Sequence, residues 1–235
     1  MVKKLKRLLA PEFWRLPKKL AKFAVSPRPG PHKKFECIPL LVIVRDILKL
    51  AETGKEAKKI IKRGEILVDG RPRKDHAYPA GLMDVIAIPK IEKYFRILVG
   101  KKGLVLQEIP KKESKVKICR IDNKTYVKGG KLQLNLHDGR NILVEKDEYK
   151  TGDSLLIELP SQKILKHVKF EKGALALLVK GENAGKIAKI KRIVKRKALR
   201  ESSKIVCELE GKELETRKDY VIVVGKEKPL IEMGA

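Results

Sequence analysis

Few residues in this sequence combine the types and the spacing that enzyme chemistry requires. Residues 181–187 (GENAGKI) partly match a phosphate-binding loop, but the two glycines are one position too close and isoleucine replaces the hydroxyl residue that would hold Mg²⁺. Asp75 with His76, and His137 with Asp138, stand in stretches typical of turns, which favours turn residues over acid–base catalysis. The sequence therefore predicts no catalytic residue, and we expect the protein not to be an enzyme.

The cysteines and histidines do not form a recognisable metal-binding pattern. Cys37, Cys119 and Cys207 are odd in number and far apart, so no disulfide framework is expected and a reducing cytoplasm fits. The four histidines are scattered and lack the spacing of a zinc site. We therefore predict no metal and no cofactor.

The strongest chemical signal is positive charge. The 235 residues contain 56 Lys and Arg against 29 Asp and Glu, a formal net charge of +27, which indicates a polyanionic partner. Aromatic residues are only 5%, which argues against a long platform for stacking single-stranded bases. Structured RNA is favoured and double-stranded DNA stays open, whereas a membrane partner is not expected because the sequence has no apolar run of transmembrane length.

The first 36 residues form a distinct basic segment. They carry 11 basic and 2 acidic residues, a net +9, and five prolines, which disfavour a regular helix. Phe13, Trp14 and Phe23 are unusual for a disordered tail. We predict that residues 1–36 are an extended arm that becomes ordered on its partner.

Residues 37–90 are predicted to be a small α/β module built on a helix–turn–helix. Apolar residues recur at helical spacing over residues 40–51, and Thr53 with Glu56 forms the pattern of a capping box that opens a second helix. Gly64 suits a left-handed helix end, and Asp69 with Gly70 indicates a tight turn between short strands. Lys55, Lys59 and Lys62 then share one helical face.

The remaining sequence has the period of β-strands. Residues 91–172 are predicted to be a central β-barrel-like domain, in which three leucines at 132, 134 and 136 alternate with polar residues. Residues 173–235 are predicted to be a small barrel with a tail, in which residues 181–185 form a turn. The predicted fold class is α+β, mostly β.

The order of these segments resembles a known family. Residues 5–16 and 28–40, the Val-Asp-Gly at 68–70 and residues 81–86 are similar to the archaeal and eukaryotic type of small-subunit ribosomal protein four, and residues 181–187 resemble its KOW motif in an SH3-like barrel. The module of residues 37–90 resembles one also found in bacterial ribosomal protein four, some pseudouridine synthases and tyrosyl-tRNA synthetases. The resemblance covers essentially the whole chain.

This resemblance implies a non-catalytic constituent of the small ribosomal subunit in the cytoplasm, with ribosomal RNA and neighbouring ribosomal proteins as partners and no small-molecule substrate. By analogy, RNA contacts are expected from the arm, the helix pair with its following loop, and the last barrel: Lys6, Arg7, Trp14, Arg28, His32, Lys33, Arg45, Lys49, Lys55, Lys59, Lys62, Arg63, Arg71, Arg73, Lys74, Asn183, Lys186, Lys189 and Arg192.

Two other functions use similar parts. An RNA-modifying enzyme could carry the same helix–turn–helix module, but it would need a catalytic group in a larger mixed domain. A free transcription or translation factor could carry a KOW barrel, but such a factor cycles on and off its partner. Modified nucleosides after incubation with RNA, or release from ribosomal particles in moderate salt, would distinguish these functions from an RNA scaffold.

Overall fold

The computed structural model describes residues 5–194 and 203–233. It divides into two compact units, Met1–Lys115 and Val116–Ala235. Most regular structure is β-strand, with a small helical part in the first unit, and this confirms the predicted α+β class. No helix among the described residues is long and apolar enough to span a membrane.

The arm is folded against the first unit. Strands β1 (Leu5–Lys6) and β2 (Phe23–Ala24) pair antiparallel, with 3₁₀ turns at Arg7–Leu9 and Glu12–Trp14 between them. Trp14 is fully buried, and its indole Nε1–H donates to the carbonyl of Cys37 at 2.8 Å. Of the three aromatic residues that looked unusual for a tail, Trp14 therefore anchors the arm, whereas Phe23 is exposed.

The helical part is shorter than the apolar pattern predicts. Strand β3 (Cys37–Pro39) pairs with β6 (Pro79–Gly81), and α1 (Leu40–Val42) begins directly after it, at the first residue of the apolar pattern. A π-helical turn, Ile43–Ile47, follows, in which the N–H of Leu48 reaches the carbonyl of Ile43. The helical conformation therefore ends at Ile47, four residues before the apolar pattern does.

Helix α2 (Gly54–Lys62) begins where the sequence predicts. The Thr53 side chain accepts the Glu56 N–H at 3.3 Å, and the Glu56 carboxylate accepts the Thr53 N–H at 3.2 Å, which confirms the capping box. Gly64 has φ +75°, the left-handed conformation expected for the residue that ends the helix.

The main sheet of the first unit crosses the boundary predicted at residue 90. Its antiparallel order is β5-β4-β7-β8-β9, with strands Leu67–Val68 (β4), Arg71–Pro72 (β5), Val85–Ile88 (β7), Lys93–Gly100 (β8) and Gly103–Glu108 (β9). The β4–β5 turn has left-handed Asp69 and Gly70, as that dipeptide predicts. Strands β7 and β8 form a hairpin around the 3₁₀ turn Pro89–Ile91, so residues on both sides of the boundary belong to one sheet.

The second unit begins with a five-stranded antiparallel sheet. Its order is β12-β11-β10-β13-β14, with strands Val116–Tyr126 (β10), Leu132–Leu136 (β11), Asn141–Val144 (β12), Ser154–Glu158 (β13) and Ile164–Val168 (β14). The three alternating leucines of β11 are buried, as the sequence predicts. A fully buried ion pair joins Lys117 Nζ to Asp138 Oδ2 at 2.7 Å.

The last sheet curls as a half-barrel. Its antiparallel order is β18-β17-β16-β15-β19, with strands Leu175–Leu178 (β15), Ile187–Val194 (β16), Lys204–Leu209 (β17), Lys212–Arg217 (β18) and Val221–Gly225 (β19), and the 3₁₀ turn Lys218–Tyr220. Residues 181–185 form the predicted turn before β16. Ala188 and Ile190 face the core while Lys189 and Lys191 face solvent.

The burial of Trp14 predicts that the arm contributes to the stability of the first unit. Replacing Trp14 with Ala should lower the free energy of unfolding by about 3–5 kcal/mol, because a large buried side chain leaves a cavity. Trp14→Phe keeps most of the packing and should cost less. Far-UV circular dichroism during denaturant unfolding measures the change. Unfolding of Trp14→Ala at the wild-type denaturant midpoint would contradict the anchoring of the arm.

Candidate nucleic-acid interface

Helix α2 presents a row of lysines to solvent because its apolar anchors lie on one side. Ala57 and Ile61, four residues apart, are fully buried. The remaining faces are exposed and carry four lysines: Lys55, Lys58, Lys59 and Lys62. No acidic residue lies within the helix beyond the capping Glu56, so these ammonium groups have no carboxylate partner on α2 itself.

The chain that follows α2 adds cations at the same end of the helix. Arg63 and Arg71 are exposed, and a Cβ on Gly64 would lie 3.7 Å from Cε of Lys74. Lys74 therefore packs beside the end of α2. The guanidinium of Arg73 lies over the ring of Tyr78, 4.6 Å from its centroid, so this side chain is held by a cation–π contact.

Arg28 of the arm lies beside the loop of Asp75 and His76, and its charge acts on His76 together with the charges of two lysines of α2. Its Nη1 lies 3.4 Å from Oδ2 of Asp75, in the loop that carries His76. The pKa of His76 is lowered from its ordinary 6.5, first by burial and then by the positive charge of Lys58, with smaller contributions from Arg28 and Lys62; Asp75 opposes them. We call the residues gathered here the helix surface: Arg28, Lys55, Lys58, Lys59, Lys62, Arg63, Lys74 and His76.

Arg45 and Lys49 lie at the helical turn before α2, with different charge environments. The Arg45 guanidinium donates to Oδ2 of Asp46 through Nε at 3.1 Å and Nη2 at 2.8 Å, so its charge is compensated locally. Its Nη1 lies 3.4 Å from where a Cβ of Gly54 would stand, at the start of α2. Lys49 is exposed in a left-handed conformation, with φ +53°.

Three arm residues predicted to contact RNA are buried. Arg7 is 4% exposed and its Nε–H donates to the carbonyl of Pro17 at 2.6 Å, and Trp14 is fully covered. His32 Nε2 lies 3.0 Å from Oδ2 of Asp84, with both side chains almost fully buried. These contacts hold the arm to the first unit, so the three side chains are not available to an external partner. Lys6 and Lys33 are exposed.

The four predicted residues of the second unit have acidic neighbours. They line β16 and the turn before it: Asn183, Lys186, Lys189 and Arg192. Lys186 Nζ lies 3.3 Å from Oε1 of Glu210, and Lys189 stands directly across from Glu208 on β17. Asn183 is partly buried in the turn and Arg192 is exposed. Local carboxylates reduce the positive potential of this region.

A cluster of side chains with metal-ligating atoms lies in the second unit, but its carboxylate already pairs with basic side chains. Ligand atoms of Cys119, His137 and Asp138 lie within 4.8 Å of one another. The Asp138 carboxylate, however, binds the Lys117 ammonium at 2.7 Å and Nε of Arg140 at 3.2 Å. Nδ1 of His137 accepts a backbone N–H at 3.2 Å, which uses that lone pair. We assign no metal to this cluster.

Two members of the helix surface were not among the predicted contacts. Lys58 is adjacent in sequence to Lys59 of the predicted lysine face. It is exposed because Ala57 and Ile61 alone form the buried face of α2. His76 was interpreted only as a turn residue. Its closeness to Lys58 depends on the backbone bond from the Leu41 N–H to the His76 carbonyl at 2.9 Å, a contact between distant residues that no local pattern records.

Comparison with known families matches most of the chain. The models described as RS4NT (NUC023) domain, S4 domain and ribosomal family S4e match residues 1–35, 38–86 and 91–164. A solved structure of 30S ribosomal protein S4e from Thermoplasma acidophilum is similar with a TM-score of 0.70 and 27% identity, over 82% of this chain and 96% of that one.

Full-length relatives give the same result. Small ribosomal subunit protein eS4 of Methanocaldococcus jannaschii is 48% identical over 97% of this chain and 96% of its own length. The protein of the same name from Archaeoglobus fulgidus is 50% identical over 97% of each chain. The two units described above, with their S4 module and antiparallel sheets, thus belong to a member of the ribosomal protein S4e family.

Proposed function

We propose that this protein is a structural constituent of the small ribosomal subunit that binds ribosomal RNA and stabilises its fold. The observation that carries the proposal is the group of exposed lysines on α2, with Arg63 and Lys74 after the helix and Arg28 of the arm beside Asp75 in the loop of His76. The family consists of structural ribosomal proteins, and we assign this chain no catalytic step.

Phosphate neutralisation is the mechanism that this surface supports. RNA helices that pack together bring phosphates close, and fixed cations between them replace mobile counterions. With roughly 6–10 phosphate contacts, affinity should fall by about 10³–10⁵ between about 50 and 200 mM salt. The helix surface supplies cations on a folded scaffold, so little backbone order has to be gained on binding.

The proposed RNA contacts are the exposed members of the predicted set together with Lys58. In the first unit these include the helix surface and the exposed Lys6, Lys33, Lys49 and Arg71, with Arg45 and Arg73 beside them. In the second unit Asn183, Lys186, Lys189 and Arg192 stay proposed contacts. Neighbouring ribosomal proteins are the further partners, and the proposed location is the ribosome in the cytoplasm.

Assembly into the subunit can be tested directly. The protein should sediment with small ribosomal subunits and stay with them through a moderate-salt wash, because a scaffold does not cycle off as a factor does. Western blotting of gradient fractions measures this distribution. Recovery of the protein only in fractions free of ribosomal particles would contradict the proposal.

Reversing charge on α2 should weaken RNA binding without unfolding the protein. In Lys59→Glu with Lys62→Glu, two phosphate contacts are lost, so the slope of log affinity against log salt should fall by about two. Both side chains are exposed, and the first unit should keep its thermal midpoint. Fluorescence titration of ribosomal RNA at several salt concentrations measures the slope.

A matched control separates the helix surface from net charge. Lys163→Glu with Lys166→Glu changes two exposed lysines of the second unit, and either double variant lowers the formal net charge from +27 to +23. The control should keep the wild-type slope. Equal slopes in the two double variants would remove the helix surface from the interface.

His76 should report RNA binding through its protonation. In the free protein burial and then the positive charges of Lys58, Arg28 and Lys62 disfavour the imidazolium, so the pKa of His76 lies below the ordinary 6.5. Phosphates that neutralise these lysines remove that effect, so the pKa should rise on binding and the complex should take up a proton. NMR titration of the His76 ring measures both midpoints, and Lys58→Gln should raise the midpoint of the free protein. A midpoint that RNA leaves unchanged would contradict this placement of the RNA.

A further inference from the structure

One face of the second unit carries a row of uncharged amides. Asn123 on β10, Asn135 on β11 and Asn141 on β12 stand directly opposite one another across three strands. Asn123 and Asn141 are exposed and Asn135 is half-buried. Residues that share a cross-strand row point to the same side of a sheet, so the three amides form one line on the outer face.

A second row extends this face. Thr125, Gln133 and Leu143 stand opposite one another one step along the strands, and Gln133 Nε2 donates to Oδ1 of Asn135 at 2.8 Å. The six positions of the two rows carry no charge, although charged residues make up 36% of the sequence. We call these six residues the amide face.

The amides are concentrated here. The whole sequence contains four Asn and three Gln, and four of these seven residues belong to the amide face. Asparagine is disfavoured in strands, so forming the sheet does not explain the row. The core needs only the opposite side of these strands, where Leu132 and Leu134 are buried. The amide groups therefore point to recognition of a hydrogen-bonding partner.

Cations border the amide face at one end. The β10–β11 hairpin ends in Lys128, Gly129, Gly130 and Lys131, and all four are exposed. A Cβ on either glycine would meet no atom within 4 Å, so the backbone there is open to close approach. The nearby Asp147 pairs with Lys124, which projects to the other side of the sheet from Asn123 and Thr125. Neutral donors and acceptors thus adjoin a positive tip.

We infer that the amide face binds the minor groove of double-helical RNA, with Lys128 and Lys131 on the adjacent phosphates. The inference rests on the proposed RNA-binding function and assigns a second surface to it. The minor groove of A-form RNA is wide and shallow and displays 2′-hydroxyls and base edges, which amides can both donate to and accept from. B-form DNA has a narrower minor groove and no 2′-hydroxyl, so the amide face should distinguish the two.

The test compares RNA and DNA duplexes of one sequence, about 16 base pairs long. The full-length protein should bind the RNA duplex more tightly. Asn135→Val with Asn141→Val removes the amides and favours strand structure, so the sheet should stay folded by thermal unfolding. Its affinity for the RNA duplex should fall about tenfold, from two lost neutral hydrogen bonds, with little change for DNA. The slope against salt should stay at its wild-type value because no phosphate contact is lost.

Controls separate this surface from the helix surface. Gln107→Val replaces an amide on β9 of the first unit and should leave both affinities unchanged. Lys59→Glu with Lys62→Glu should lower both affinities together with the salt slope. Unchanged RNA affinity in the double valine variant, or equal losses for RNA and DNA, would overturn the inference while the helix surface stands. An unaltered protein that binds neither duplex would also overturn the inference, whereas recovery of the protein only in fractions free of ribosomal particles would overturn the proposed function.

The inference about the amide face would also be overturned if this surface contacted a neighbouring protein and not RNA. If the double valine variant kept its RNA affinity but no longer entered ribosomal particles, the amide face would be a contact for a neighbouring protein. Entry into particles reduced in proportion to the loss of RNA-duplex affinity supports the inference.

Discussion

The helix surface can form only because the fold overcomes the electrostatic repulsion among the lysines of α2. Lys55 with Lys59, and Lys58 with Lys62, are like-charged pairs four residues apart, and each pair destabilises an isolated helix by about 0.2–0.5 kcal/mol. A helix of nine residues is marginal by itself even without this cost. The capping box and the burial of Ala57 offset the repulsion, so the tertiary structure holds four lysines close together on a short helix.

In the half-barrel, exposed lysines pair with glutamates. Lys191 pairs with Glu213 at 2.7 Å and Lys204 with Glu215 at 2.8 Å, and hydrogen bonds from the lysines lower the pKa of both glutamates. Exposed pairs of this kind contribute little to stability, but they reduce the field that an approaching phosphate meets. On α2 the four exposed lysines thus share the helix with a single acidic residue, Glu56, whereas these lysines of the half-barrel pair with carboxylates.

The arm shows where residue type alone misleads. Trp14 and His32 have side chains that commonly contact RNA, and a basic segment rich in proline favours an extended arm. In the structure the Trp14 indole is buried and donates to the Cys37 carbonyl, the His32 ring lies against the Asp84 carboxylate, and Arg7 donates to the Pro17 carbonyl. These buried contacts fix the segment that carries Arg28, whose guanidinium lies beside Asp75 in the loop of His76.

The sequence itself determined the local chemistry: the capping box at Thr53, the left-handed turn at Asp69 and Gly70 and the buried alternation of β11 each depend on residues a few positions apart. It also determined the overall positive charge, which depends on composition alone. Tertiary structure decided which cations stay free, that one sheet runs past residue 90, and that three asparagines align across β10, β11 and β12. The physical reason is that backbone conformation and strand period are short-range properties, whereas charge compensation and cross-strand register depend on partners that folding brings from distant parts of the chain.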